Sequence, residues 1–289
     1  MTDSTKLEHI LNRVSLERIK EVSHFDNREM IEVALSVECY NDTLYGISRR
    51  LDLNDENSPS SGWRSDLMLK ELNDQFEEVQ SEFITKGEDP RMFVFRNELM
   101  SITWVWNAEK RDLDMYLVNC NKGTKTLLHN LDIPFNGKNW VPYIYDDSLY
   151  FIYSLEPLII LKFMEPNLVM LHHSDVHPEK LAGIGWGHGV GNLRAGSKGI
   201  QFGEMVYLFS RTASPGPHII HFTILDHKNH KLYHKNLEPH RNSGVHDPYG
   251  FFQFGGKYYL STTESDTLWG PQATSFSNSI YLIKNLLGE

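Results

Sequence analysis

Cysteine is nearly absent: Cys39 and Cys120 are the two in 289 residues. They are too few for a disulfide framework and show no C-x-x-C spacing, so a zinc ribbon is excluded and a reducing compartment fits. No apolar run approaches the roughly 18 residues that cross a bilayer, so no membrane span is expected. Positive charge is in deficit, with 28 Lys and Arg against 38 Asp and Glu, a net charge of -10. That balance disfavours a broad phosphate-binding surface and hence nucleic acid as a partner. The opening MTDSTKLEHILNRVSLERIK sets acids and bases among Leu7, Ile10, Leu11 and Val14 at helical spacing. It lacks the pattern of a secretory leader, so a short N-terminal helical segment over residues 1–30 and a cytoplasmic location are expected. No G-x-x-x-x-G-K-[ST] or G-x-S-x-G occurs, which removes a phosphate loop and a serine acyl-enzyme. His172, His173, His177 and His188, with Asp175, lack the i, i+4 placement of a zinc helix, and no metal cofactor is expected.

What the sequence does contain is a repeat. A polar or small start, a short apolar strand, a tight turn and a second apolar strand recur from Ala34, Asp89, Val141, Ser197 and Asp247. The turns fall near Asp42, Asn97, Asp146, Gly203 and Gly255, a period of roughly 50 to 57 residues and so in the range of repeat architectures. DMYLVNCNKGTKTLLHN, PLIILKFMEPNLVMLHH and HIIHFTILDHKNHKLYHK supply second hairpins. Two hairpins per period make a four-stranded blade, and five blades make an all-β, five-bladed β-propeller over residues 31–289. A two-sheet sandwich also has short, regular strands but no reason to repeat a hairpin at this period. The last strand, NSIYLIKNLL, is expected to close the ring on a strand near Ile31.

Inner strands border the axial channel of a propeller, so the starts of the repeats converge there. They supply Arg49 and Arg50, then Glu88-Asp89-Pro90-Arg91, Lys138-Asn139-Trp140, Arg194 with Ser197, and His246-Asp247. Glu88 and Asp89 are adjacent, so on extended chain they point to opposite faces and one acid enters the channel. A carboxyl drawn into such a channel suits a general acid, although an Asp before Pro also caps turns. Trp140, and Trp186 within the loop GIGWGHGVG, are candidates for ligand contacts. Glu156, Asp247 and Glu264 are candidates for a second carboxylate, which water-dependent hydrolysis needs.

The run GEDPRMFVFRNELMSITW resembles the Glu-Asp-Pro-Arg strand of the mannoside phosphorylase family of glycoside hydrolases, and of the related mannosyltransferase/phosphorylase family. GKNWVPYIYDDSLYFIYSLEP resembles the following Lys-Asn strand, and NLRAGSKGIQFGEMVYLFSR the Gly-rich strand after it. The resemblance implies a carbohydrate-active propeller with Asp89 as catalytic acid, and Arg91 and Lys138 binding sugar or an anionic group. The sequence departs where the phosphorylases carry the cations that hold phosphate: Tyr153-Ser154 and Phe209-Ser210 stand there, with Arg211 next door. The expectation is therefore inverting transfer of mannose or a related sugar from a sugar nucleotide to a sugar acceptor. In it Asp89 serves as acid/base, and Arg49, Arg91, Lys138 or Arg194 steady the departing phosphate. Cleavage of β-mannosides by water, or by phosphate as co-substrate, is the alternative. A non-catalytic propeller binding a glycan or a protein is another.

Overall fold

The computed structural model describes residues 3–25, 30–52, 65–107, 109, 112–130, 139–173, 193–212, 218–237, 244–265 and 275–287. Helix α1 (Asp3–Arg13) leads into β1 (Ser15–Phe25). The first blade is β2 (Met30–Tyr40), β3 (Thr43–Asp52), β4 (Asp66–Leu72) and β5 (Glu78–Lys86). The second is β6 (Glu88–Phe95), β7 (Glu98–Asn107), β8 (Asp112–Asn119) and β9 (Thr124–Leu127). The short β10 (His129–Asn130) lies parallel to the outer strand of the third blade. That blade is β11 (Val141–Tyr145), β12 (Ser148–Leu155), β13 (Leu158–Met164) and β14 (Asn167–His173). In the fourth, β15 (Leu193–Ala195) and β16 (Ile200–Phe202) share the inner position beside β17 (Met205–Thr212), followed by β18 (Ile220–Asp226) and β19 (Lys231–Asn236). The fifth is β20 (Val245–Phe254), β21 (Lys257–Ser265) and β22 (Phe276–Lys284), with β1 as its outer strand.

The inner hairpins turn where the repeat placed them. Asn41-Asp42, Arg96-Asn97 and Asp146-Asp147 are left-handed at both positions, as are Gly255 and Gly256. Paired left-handed residues match the right-handed twist of the flanking strands, which is why Asn, Asp and Gly dominate these turns. Each seam between neighbouring blades then fills with apolar side chains. Trp104 and Phe93 meet Trp140 and Phe151 between the second and third blades, and Tyr143 and Ile152 meet Val206 and Leu208 between the third and fourth. Phe209 and Phe222 meet Phe251 between the fourth and fifth, where Leu7, Ile10 and Leu11 of α1 also bury. Each such aromatic contributes about 1.5–3 kcal/mol by burial, so the seams rather than the separate sheets carry the ring.

Ring closure differs from the sequence expectation. The strand containing Ile31 is the inner strand of the first blade and pairs with β3, so it is not available to β22. The partner of β22 is β1, antiparallel from Ser15 opposite Lys284 to Phe25 opposite Phe276. Residues 15–25, placed by the sequence reading within a helical segment, are thus a strand of the propeller. Asn278 fastens the joint: its amide donates to Ser23 Oγ and to the Glu32 carbonyl, both at 2.9 Å. Its Oδ1 accepts from Thr263 Oγ1 at 2.7 Å, and that hydroxyl accepts from Ala34 N at 2.7 Å. Asn278→Ala strands the buried Glu32 carbonyl and Thr263 hydroxyl, so denaturant unfolding should show a loss of about 2–3 kcal/mol. A loss below ~0.5 kcal/mol, the level of an ordinary surface change, would deny the joint its role.

Candidate functional site

Strand alternation breaks at the head of β6. Asp89 is left-handed with φ 44°, as are Ala34 at 60° and Asn139 at 63° at the corresponding places in the first and third blades. Asp and Asn tolerate this conformation better than most residues. The pairing of β6 with β7 shifts between Glu88 and Arg91, so Glu88 and Asp89 do not simply face opposite ways. Arg49 reaches both, Nη2 lying 3.5 Å from Glu88 Oε2 and Nη1 3.4 Å from Asp89 Oδ1. Its Nε donates to Ser65 Oγ at 2.8 Å, and that hydroxyl donates to the Gly87 carbonyl at 2.6 Å. The Glu88 side chain is 2% exposed and that of Asp89 17%. Asp89 is thus half-buried and Glu88 buried behind it.

Arg91 lies beneath Asp89 and is fully committed. Its Nη1 donates to the carbonyls of Asp89 at 2.8 Å and Pro90 at 3.1 Å, and Nη2 to Asn139 Oδ1 at 3.3 Å. Nε donates to the carbonyl of Gly196, a residue without room for a side chain between Pro248 and the Phe209 carbonyl. The guanidinium stacks 4.3 Å from the centre of the Tyr249 ring. Arg91 thus joins the second, third, fourth and fifth blades. Arg91, inferred from the resemblance to bind ligand, is 2% exposed and has its donors turned to the protein's own carbonyls and to Asn139. Burial, reinforced by the charges of Asp89 and Asp247, pushes the Tyr249 phenol well above its usual range, so it stays protonated. Nearer the hairpin end, Lys198 of the fourth blade pairs with buried Glu38 of the first. Burial pushes Glu38 up against the pull of Lys198.

Across the channel, Asp247 Oδ1 lies 3.0 Å from Arg211 Nε and 2.7 Å from His218 Nδ1. Arg194 stands opposite Arg211 in the β15–β17 pairing. The fields of both Asp89 and Asp247 act on Tyr249 and Arg91, so the two carboxylates share one neighbourhood.

Other candidates fall elsewhere. Arg50 turns away to Glu32, bound at 2.9 and 2.7 Å. Trp140 is 3% exposed and packs against Trp104, Phe151 and Tyr153 as seam core. Ser197 is fully buried, its Oγ accepting from Phe209 N at 2.9 Å as a staple within the fourth blade. Glu156 Oε2 accepts from Leu193 N at 3.2 Å and so ties β12 to β15. His246 lies beside Glu264, 3.8 Å away, and against the Tyr281 ring. Lys138, Trp186, Asp175, His177 and His188 lie outside the described residues. His218 and Tyr249 were missed. Tyr249 was legible, since it follows Asp247 by two residues as Arg91 follows Asp89, while His218 belongs to no repeated strand start. Among the described residues no cluster of His, Cys, Asp and Glu could hold a metal ion, and no helix is long and apolar enough to cross a membrane.

No family model and no curated protein matches the sequence. Solved structures do match in shape. One is a glycoside hydrolase of the GH130 family of mannoside phosphorylases, described as targeting β-1,2 mannosidic linkages in Candida mannan: TM-score 0.63 and 11% identity over 93% of this chain and 94% of that one. A glycosyl hydrolase from Bacteroides ovatus gives 0.57 and 12% over 93% and 94%. A family 117 glycoside hydrolase from the marine bacterium Zobellia galactanivorans gives 0.57 and 12% over 96% and 92%. Likeness at these identities extends to the fold.

Three variants test the electrostatic frame. Arg91→Ala removes the donor from several buried carbonyls and should cost about 3 kcal/mol or more in urea unfolding. Arg91→Lys should recover part of that, because one ammonium cannot span the fork. Glu32 is buried, which pushes its pKa up, but Lys70 at 2.6 Å and Arg50 outweigh burial and hold it below its usual 4.5. Its stabilisation is therefore complete above the unfolded value and drains away as pH falls below ~4.5. Glu32→Gln should flatten the acid limb of the stability curve, and an unchanged limb would contradict the assignment.

Proposed function

We propose that this protein cleaves glycosides in its axial channel, with Asp89 as the acid that protonates the leaving oxygen. The observation that carries the reading is that two carboxylates, Asp89 and Asp247, lie near enough to Arg91 and Tyr249 for the charges of both to act on that pair. Inverting cleavage needs one carboxyl to give a proton to the departing oxygen and one carboxylate to activate water on the other face of the sugar. Asp89 is the more open acid of its pair. One guanidinium, Arg49, serves both Glu88 and Asp89, so the trio carries one negative charge with both acids ionised and none with one protonated. Arg211 and His218 orient Asp247 and favour its ionised form, which a base toward water requires. By the sequence resemblance the sugar is a β-mannoside.

Cleavage has more support than transfer from a sugar nucleotide, since the structural neighbours bear the names of glycoside hydrolases and a mannoside phosphorylase family. Water has more support than phosphate as the acceptor. Ser210, where the resemblance expects a cation, is buried and hydrogen-bonded to Thr223 at 2.7 Å. Arg211, the possible substitute, is already held by Asp247. Asp89→Asn should lower turnover of a β-mannoside by about 10²–10⁴-fold while sugar binding persists. Product analysis with and without inorganic phosphate should show free sugar in both. Sugar 1-phosphate would establish phosphorolysis, consumption of a sugar nucleotide would restore transfer, and ligand binding without turnover would make the propeller a binding module.

A further inference from the structure

Among the described residues, charge on the Asp247 side of the channel does not balance. Arg211 Nη1 lies 3.2 Å from His218 Nε2. A guanidinium has donors only, so in this contact Nε2 accepts and the ring nitrogen facing Asp247, Nδ1, is the one left to donate. Arg211 and Asp247 then cancel. Arg194, directly across the β15–β17 ladder from Arg211, adds a second positive charge to the same neighbourhood. Its buried Nε has no hydrogen-bond partner among the described residues. Burial first, and Arg211 next, bring the Arg194 guanidinium down to about 10, against the pull of Asp247, so it remains charged at neutral pH. Like charges directly opposite on a ladder are unfavourable, and a buried guanidinium nitrogen without an acceptor costs more still. An anion settles both.

We propose that Arg194 anchors a single negative charge on the glycoside itself, which makes the substrate class a sugar bearing a carboxylate. The inference deepens the glycoside reading of the channel and rests on it for the sugar. One unbalanced positive charge matches a carboxylate more closely than a phosphate, which carries between one and two negative charges near pH 7. A planar guanidinium also meets a carboxylate through two parallel hydrogen bonds. The neutral side of the match is built in: Tyr249 keeps its proton and adds no charge.

Calorimetric titration of the whole chain with mannuronate and mannose, glucuronate and glucose, and inorganic phosphate tests this. The acidic sugar of at least one pair should bind roughly tenfold or more tightly than its neutral parent. Arg194→Gln should erase that preference without lowering the melting temperature, and Asp89→Asn should keep it. Equal binding of acidic and neutral sugars, or a preference that survives Arg194→Gln, overturns the proposal. Phosphate binding that depends on Arg194, without preference for either uronate, also overturns it by moving the anion to the acceptor. Failure of the cleavage reading looks different: Asp89→Asn would turn over glycosides as well as the parent, while the Arg194-dependent preference stood.

Discussion

A single buried guanidinium sets the frame on which the rest of the channel depends. Arg91 grips the carbonyls of its own strand head, the amide of Asn139 and the carbonyl of Gly196, and lies on the ring of Tyr249. Each contact belongs to a different blade or fixes the backbone of the blade that carries Asp89. A left-handed aspartate at the start of a strand is a mildly unfavourable conformation that persists when its surroundings over-determine it. Arg91 supplies that over-determination from below and Arg49 from the side. The position of the acid is thereby tied to the closure of the ring and not to a loop.

The two halves of the channel are electrostatically unlike. Around Asp89, two carboxylates share one guanidinium; at Asp247, one carboxylate is paired with Arg211, and a second guanidinium, Arg194, stands opposite Arg211. Between them lie a protonated phenol and the committed Arg91. A ligand lying across these groups would meet a surplus of negative charge at one end and of positive charge at the other. Such a gradient discriminates between the ends of a ligand without any single residue being specific.

The sequence showed the ring because hairpin turns with paired left-handed residues demand Asn, Asp or Gly, and those residues recur at a steady interval. It showed Asp89 because strand heads must converge. Other features depend on partners far away in the chain. Arg91 and Asp89 are two residues apart and read alike as polar channel residues, yet Arg91 is buried by Gly196 and Tyr249, more than a hundred positions later. Trp140 follows Lys138 and Asn139, which made it look like a sugar platform, but Trp104 and Phe151 take it into the seam. The polar strand SLERIKEVSHF carries its charges like a helix continuation, because an outer blade strand has little to bury. Its role is decided by β22.

That pairing has a temporal consequence. β1 finds its partner in β22, made only after the strands of all the other blades, so four blades can assemble on their own hairpins while the fifth stays short of its edge. During that interval Phe25 and Val14 have no seam to enter, and β22 does not yet exist to cover β21. Closure is a late, long-range event of high contact order, and the open ring with its unpaired strand is the species most exposed to wrong partners.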